Sequence, residues 1–373
     1  MKTLKLAVVG AGHLGRIHAR LLAEMPDVEL VGIVDPLPTA REKVAADHGT
    51  TPFADHRDLL ERVDGAVIAT PTRNHHAVAL DFLTCNKPLL IEKPMTSNLA
   101  EANELVEVAQ LNGVLLQVGH IERFNPAFLA AAAAISEPKY VEAVRASGFT
   151  GRSTDIGVVY DLMIHDIDLL LTLVGSPLKS ASALGMAVLG RHEDVAHARL
   201  EFESGCVANL SASRVSYSPT PKRQMQIWSE QGFAAVDFAS RSAHLVRPSH
   251  QIVQREFDFE RLTAEEKAAF QDRLFREILR VESLVVEAGN ALADELRDFV
   301  DSIQRARAPR VTGQDGRNAV AVAETILHSM RVHPWHGRST GPIGPLAMPE
   351  VPILRGPHWQ SAAQPRPARR EAG

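Results

Sequence analysis

Three side chains in the segment 161–168 are suited to proton transfer. Asp161, His165 and Asp168 are spaced i, i+4 and i+7, so a helix would place two carboxylates and an imidazole on one face. A histidine in such surroundings titrates near neutral pH and can act as a general base. Side chains satisfied by the backbone at a helix N-terminus, or a metal site, are the alternatives. With no second histidine or cysteine in the cluster, we expect no metal.

A lysine that could take part in catalysis lies in the motif Glu92-Lys93-Pro94, directly after the apolar run 89–91. The proline restricts the backbone of the residue before it. If the run is a strand that ends beside a bound cofactor, the amine can reach a substrate hydroxyl. Otherwise Lys93 is a surface lysine in a turn. Its position at the predicted cofactor edge favours a functional role.

A glycine pattern near the start of the chain, Gly10-x-Gly12-x-x-Gly15, predicts a dinucleotide site. Gly10 allows a tight turn, Gly12 lets the backbone approach a pyrophosphate, and Gly15 lets a helix pack closely on the preceding strand. The predicted helix opens at His13 and Leu14, so its first amides and its positive dipole end would face the phosphates. The alternative is that these glycines only shape a turn.

An acidic residue, Asp35, ends the next apolar run 20 residues beyond Gly15. Its carboxylate would accept hydrogen bonds from both hydroxyls of an adenosine ribose and would repel a 2′-phosphate. The sequence therefore predicts NAD rather than NADP. The alternative is that Arg41, which is near Asp35 in sequence, binds the 2′-phosphate of NADP.

The first third of the chain alternates apolar strands with helical segments, which predicts a doubly wound parallel sheet of the α/β class. Ligands of such sheets bind at the carboxyl ends of the strands. The further residues that we expect at the cofactor lie at those ends: Thr70, Pro71, Thr72, His75, Glu92 and Lys93.

Beyond Gly119 the pattern changes. Helices are predicted at 126–135 and 159–174, with a strand at 139–148, and five strands then follow in series between 179 and 237. Strands in series favour a mostly antiparallel sheet in an α+β domain.

The open sheet of this second domain would leave one face for a second subunit, so we expect a homodimer or homotetramer. The segment 262–307 is predicted to be helical with a break near Gly289. We expect a cofactor domain at 1–119, a substrate and oligomerisation domain at 120–332, and a mobile tail at 333–373.

Composition limits the classes of partner. A net charge of −5 and an aromatic content of 5% argue against nucleic-acid binding. We expect no membrane span, since no uninterrupted apolar run approaches the roughly 20 residues that a membrane helix needs. Cys85 and Cys206 are too few for a disulfide framework, so we expect reduced thiols in a cytoplasmic protein.

The motifs together resemble the Gfo/Idh/MocA family of sugar and cyclitol dehydrogenases, over about residues 1–332. The resemblance rests on the order and spacing of the glycine motif, the turn 70–75, Glu92-Lys93-Pro94 and the run from Gly157 through Asp161 and His165 to Asp168. It implies a Rossmann domain, an α+β domain with a large open sheet, and reversible oxidation of a secondary alcohol with NAD or NADP.

By the same resemblance Lys93, Asp161 and His165 form the catalytic group. His165 would remove the hydroxyl proton, Lys93 would hydrogen-bond the developing alkoxide, and Asp161 would orient the pair. Lys93 and His165 could exchange the role of base, because the sequence does not fix their protonation.

The segment 119–126 is similar to the branch of the family that acts on nucleotide sugars, so C3 of UDP-N-acetylglucosamine is the expected reaction centre. His120, Arg123 and Asn125 are then candidate substrate contacts, together with Asp161 and His165. Arg123 could instead form a salt bridge near Glu122, and Lys222 and Arg223 are more distant candidates for the phosphates. Oxidation of inositol or a free sugar, and a non-catalytic NAD-binding sensor or scaffold, are the alternatives.

Overall fold

The computed structural model describes residues 3–151, 155–189, 192–217 and 220–333. Among these residues no helix is both long enough and apolar enough to cross a membrane. The predicted mobile tail, apart from its first residue, lies outside the described residues.

The first sheet has six parallel strands in the order β3-β2-β1-β4-β5-β6. β4, β5 and β6 are buried along their whole length, as is typical of a parallel sheet covered by helices on both faces. This confirms the doubly wound prediction. The strands are β1 Leu4–Val9, β2 Val28–Val34, β3 Thr51–Phe53, β4 Gly65–Ile68, β5 Leu89–Glu92 and β6 Leu116–Gly119.

The strands of this sheet are connected by helices and short 3-10 turns. Asn98 caps one helix by accepting a hydrogen bond from the Glu101 amide, whereas the helix after Gly12 starts with no side-chain cap. The helices are α1 His13–Ala23, α2 Pro38–Asp47, α3 His75–Thr84 and α4 Leu99–Leu111, and the 3-10 turns are His56–Leu59 and Thr72–Asn74.

The second sheet has eight strands in the order β14-β13-β12-β11-β7-β10-β9-β8. β7 and β10 pair in parallel, and the other neighbours within the described part of the sheet are antiparallel. The mostly antiparallel prediction is confirmed. The strands are β7 Tyr140–Ala146, β8 Leu178–Met186, β9 Val195–Phe202, β10 Val207–Ser213, β11 Lys222–Ser229, β12 Gly232–Asp237, β13 Ser242–Pro248 and β14 Leu279–Ser283.

Helices cover one face of this sheet and connect it to the first. A buried apolar cluster runs from β4 and β5 through the central helix α6 into β9 and β10, so the two sheets share a core. The helices are α5 Pro126–Ala134, α6 Ile164–Val174, α7 His250–Val253, α8 Ala264–Ala268, α9 Phe270–Arg273, α10 Ala291–Arg305 and α11 Gly313–Val332; the 3-10 turns are Ile121–Phe124 and Phe259–Arg261, and the π turns are Val159–Met163 and Leu274–Ile278.

Part of the helical prediction for 262–307 is wrong. β14, with the sequence Leu-Arg-Val-Glu-Ser, pairs antiparallel with β13, a strand that the sequence analysis did not identify. The charged composition favoured a helix, but pairing at a sheet edge overrides a weak local preference.

Candidate active site

A cleft of about 690 Å³ opens where the carboxyl ends of the first sheet face β7 and the start of α6. It brings together residues that are far apart in the sequence. Its lining includes Gly12, His13, Leu14, Thr70, Pro71, Glu92, Lys93, Gly119, Glu122, Arg145, Asp161, His165, Lys222 and Arg223.

The glycine turn at the cleft mouth has the geometry of a phosphate cradle. Gly10 has a φ of +106°, which favours glycine, and a Cβ at Gly15 would overlap the carbonyl oxygen of Gly10. At Gly12 a Cβ would meet no protein atom within 4 Å, so this position faces open space. A pyrophosphate can approach the backbone here, against the uncapped start of α1. The residues present therefore fit NAD.

Asp35 is held in place by its neighbours. Its Oδ2 accepts from the Ala11 amide and its Oδ1 from the Leu37 amide, both at 2.9 Å. Arg41 donates from Nη1 to the carbonyl oxygens of Asp35 at 3.2 Å and of Pro36 at 3.0 Å. The carboxylate is thus fixed beside the glycine turn, while the guanidinium is already engaged with the backbone.

Lys93 spans the cleft to the second domain. Its Nζ donates to the carbonyl oxygen of Asp161 at 2.6 Å and to Asp161 Oδ1 at 3.2 Å. Their side chains are 15% and 20% exposed. The structure therefore brings together two of the three predicted catalytic side chains by a direct contact, at a point open to a ligand.

The predicted face of two carboxylates around His165 does not form. Neither carboxylate is hydrogen-bonded to His165 among the described residues, although Asp161 lines the same cleft. Asp161 instead pairs with Lys93, and Asp168 accepts from Arg123 at 2.8 and 2.9 Å.

His165 lies in surroundings that oppose its protonation. Burial lowers its pKa well below the ordinary value, and the positive charges of Lys93 and Arg145 lower it further. Its Nδ1 is buried with no hydrogen-bond partner among the described residues. The expectation of a histidine tuned near neutrality by carboxylates is therefore replaced by a neutral imidazole beside cations.

Two residues predicted to contact the cofactor, His75 and Thr72, are buried and do not line the cleft. His75 is 1% exposed, and its ring nitrogens contact the carbonyl oxygens of Thr70 at 2.8 Å and of Pro94 at 3.0 Å. His75 thus ties together the turns that carry Pro71 and Lys93.

Glu92 lines the cleft but is itself buried. It accepts a hydrogen bond from His18 Nε2 at 2.6 Å. Burial opposes ionisation of this carboxyl, yet the hydrogen bond and charge of His18 give it a lowered pKa. His18 thus fixes Glu92, and with it the end of the strand that carries Lys93.

The three substrate contacts predicted in the segment 119–126 need correction. The Arg123 guanidinium is bound by Asp168, His120 is 1% exposed, and Asn125 donates to Glu122 while its Oδ1 caps α5. None of the three lines the cleft, because their polar groups turn inward toward partners or burial. The segment reaches the cleft through Gly119, Ile121 and Glu122.

Arg145 is a cleft residue that the sequence analysis missed. Its Nε donates to both oxygens of Asp166 at 3.0 Å and its Nη1 to Glu122 at 2.8 Å, while its buried Nη2 has no partner among the described residues. Burial raises the pKa of Asp166 to about 6 although Arg145 opposes the shift. A signal existed: in β7 the alternate positions 141, 143 and 145 face inward, and a charge among them is unusual.

Two more cations line the cleft from the start of β11. Lys222 and Arg223 are exposed, and neither forms an ion pair with another residue in the described ranges. We call these two residues the cationic rim. They provide positive charge with no ion-pair partner among the described residues, whereas the charge of Arg145 is matched by Asp166 and Glu122.

Comparison with protein families identifies both parts of the chain. Residues 4–120 match the Gfo/Idh/MocA model of an oxidoreductase family with an NAD-binding Rossmann fold, and residues 150–335 match the C-terminal alpha/beta domain of the same family. The predictions of NAD as cofactor and of an NAD-dependent dehydrogenase are thereby confirmed.

Individual relatives agree with this result. The chain is 34% identical over 321 residues to a UDP-N-acetylglucosamine 3-dehydrogenase from Acidithiobacillus ferrooxidans, covering 86% of this chain and 95% of the relative. A solved structure of that enzyme has a TM-score of 0.77 at 33% identity, covering 88% of this chain and 98% of the other. A scyllo-inositol 2-dehydrogenase from Bacillus subtilis is 31% identical over 232 residues, covering 57% of this chain and 68% of the relative. The chain therefore belongs to the Gfo/Idh/MocA family of NAD-binding oxidoreductases.

Proposed function

We propose that this enzyme oxidises the C3 hydroxyl of UDP-N-acetylglucosamine to a ketone. The observation that carries the proposal is the cationic rim, which lies in the same cleft as Lys93 and His165. A nucleotide sugar has two phosphate charges that such a rim can bind, and binding energy from that remote part can position the reacting carbon. The relative named UDP-N-acetylglucosamine 3-dehydrogenase supports the same substrate.

In the proposed reaction, His165 accepts the proton of the substrate hydroxyl. A neutral imidazole is required for this step, and the lowered pKa of His165 supplies it at neutral pH. Lys93, held by Asp161, donates a hydrogen bond to the oxygen as negative charge develops. NAD, when bound, provides the acceptor for the hydride that leaves the same carbon.

The two alternative functions place different demands on this cleft. Inositol and free sugars carry no phosphate, so they would leave the charges of Lys222 and Arg223 without an anionic partner. A sensor or scaffold would not need Lys93, Asp161 and His165 in one cleft. Both observations favour an enzyme that takes an anionic sugar derivative.

A substrate panel tests the proposal. The enzyme is incubated with NAD and, separately, UDP-N-acetylglucosamine, N-acetylglucosamine, myo-inositol and scyllo-inositol, and reduced nicotinamide is followed by absorbance. We expect strong turnover of the UDP-sugar and much weaker turnover of the others. Robust oxidation of an inositol or the free sugar, with none of the UDP-sugar, would overturn the substrate and leave the family unchanged.

Substitutions in the cationic rim test the role of charge. Lys222→Gln and Arg223→Gln should each raise KM for the UDP-sugar about tenfold, since a charge-assisted hydrogen bond contributes about 1.5–3 kcal/mol. Lys43→Gln, which removes an exposed lysine on α2, is the matched control. An unchanged KM in both rim variants would remove the rim from substrate binding.

We also propose that the enzyme is a homodimer or homotetramer that pairs through the outer face of the second sheet. Support comes from three partly exposed aromatic rings on neighbouring strands, with centroid distances of 5.0 Å for Tyr140–Trp228 and 4.8 Å for Trp228–Phe233. Partly exposed aromatic groups are common in protein interfaces. Sedimentation velocity measures the state, and a monomer at micromolar concentration would contradict this proposal.

A further inference from the structure

The turn that carries Asp161 is anchored from outside the cleft. Val158 precedes it without a side-chain cap. Instead, the Val158 amide donates to the carbonyl oxygen of Glu193 at 3.0 Å, and the Val159 amide donates to Glu193 Oε1 at 3.1 Å. A residue 34 positions along the chain therefore supplies the acceptors for the first amides of this turn.

The Glu193 side chain also packs directly on Gly157. Glu193 is 2% exposed, and a Cβ at Gly157 would overlap its carboxyl group. The Gly157 carbonyl oxygen in turn accepts from the Asp161 amide at 2.9 Å. Carboxyl, glycine and Asp161 are thus in continuous contact, and only a residue without a Cβ leaves room for the carboxyl group.

Several charged groups surround this carboxyl. Burial raises the pKa of Glu193 to about 7, while the Val159 amide and Arg214 act against the shift and Asp194 adds to it. Asp194 and Arg214 are paired at 2.6 Å, and Arg214 also donates to the carbonyl oxygen of Ile156. The other charged or titratable groups on this side of the turn are Arg73, Asp155, Tyr160, His192, Glu324 and Arg331.

We propose that Glu193 is a positioning residue of the reaction, which fixes the turn Val159–Met163 so that Asp161 meets Lys93. The inference rests on the proposed function, because it assumes that Lys93 and Asp161 act on the substrate. Glu193 does not line the cleft, so it acts through the backbone of the turn rather than by contact with a ligand.

Two substitutions distinguish the loss of the hydrogen-bond acceptor of Glu193 from the loss of its charge. Glu193→Ala removes the acceptor and should lower kcat about ten- to a hundredfold, because small displacements of catalytic groups cost factors of this size. KM and the Kd of NAD should change little. Glu193→Gln keeps an oxygen acceptor, so its kcat should stay within a few-fold of wild type. In wild type kcat should fall by the same few-fold as pH drops through about 7, where the carboxylate is protonated and becomes a neutral, weaker acceptor like the amide of Gln, whereas Glu193→Gln should lack this step.

A second test uses the contact with glycine. Gly157→Ala should lower kcat alone, and combining it with Glu193→Ala should cost less than the sum of the two, because the shortened side chain makes room for the new Cβ. Glu203→Gln, an exposed acid in the turn between β9 and β10, is the control and should behave as wild type. Additive effects of the pair would contradict the proposal.

Hydrogen exchange of the peptide 157–165 gives a readout that does not need a substrate. We expect faster exchange in Glu193→Ala, and wild-type exchange in Glu193→Gln and Glu203→Gln. Unchanged exchange in Glu193→Ala, or faster exchange with unchanged kcat, would overturn the proposal. If wild type turns over no UDP-sugar, the proposed function fails and the exchange data still decide whether Glu193 holds the turn. If Glu193→Ala does not fold, the pH profile of Glu193→Gln decides, and retention of the step near pH 7 overturns the proposal.

Discussion

The glycine turn and the turn that carries Asp161 reach their geometries in different ways. In the glycine turn, two glycines close in sequence set the backbone: Gly10 has a φ of +106°, and Gly15 packs on the Gly10 carbonyl oxygen, although Gly10 also packs on Ala69. In the turn at Val159–Met163, position depends on partners from distant elements, Lys93 and Glu193 among them. Local sequence therefore accounts for more of the geometry on the cofactor side of the cleft, whereas the catalytic side depends mainly on tertiary contacts.

The largest effects should come from the catalytic side. Lys93→Ala and His165→Ala should each lower kcat about 10²–10⁴-fold, the usual range for loss of general acid–base catalysis. The Kd of NAD should stay nearly unchanged in both, because neither side chain belongs to the glycine turn. Steady-state kinetics and calorimetric titration of NAD measure the two quantities. His76→Ala, which removes a histidine paired with Glu104 outside the cleft, is the control. Near-normal turnover in either variant would exclude that residue from the mechanism.

On the cofactor side, one glycine variant should lose stability and another should lose NAD affinity. Gly15→Ala places a Cβ on the Gly10 carbonyl and should lower the free energy of unfolding by about 1–3 kcal/mol. Gly12→Ala meets no protein atom, so stability should hold while NAD affinity falls about tenfold or more. Denaturant unfolding and NAD titration distinguish the two. If Gly12→Ala binds NAD as well as wild type, the phosphate does not approach that backbone.

The smallest effect should be on the choice of cofactor. NAD should bind more tightly than NADP, because Asp35 accepts from ribose hydroxyls and repels a 2′-phosphate. Asp35→Ala should narrow this preference to within a few-fold, mainly by weakening NAD. Calorimetric titration of both cofactors into wild type and variant provides the test. Equal or tighter NADP binding by wild type would contradict the role of Asp35.

The sequence predictions succeeded on the cofactor side of the cleft more than on the catalytic side. The six-stranded sheet and the glycine turn were predictable, because period, glycine spacing and an acid at a strand end are local signals. The surroundings of His165 were not, because the two carboxylates pair with Lys93 and Arg123, which come from distant parts of the chain. Arg123 and Asp168 are 45 positions apart, and no local pattern indicates that they pair. Arg145 could have been found, as a charge on the inward face of β7.

The central claim is that hydride leaves C3 of a nucleotide sugar in this cleft. UDP-N-acetylglucosamine deuterated at C3 can be incubated with the enzyme and NAD, and the reduced cofactor analysed by mass spectrometry and NMR. We predict one deuterium at C4 of the reduced nicotinamide for each 3-keto sugar formed. Reduced nicotinamide without deuterium, or no reduction with this substrate while an inositol is oxidised, would contradict the account.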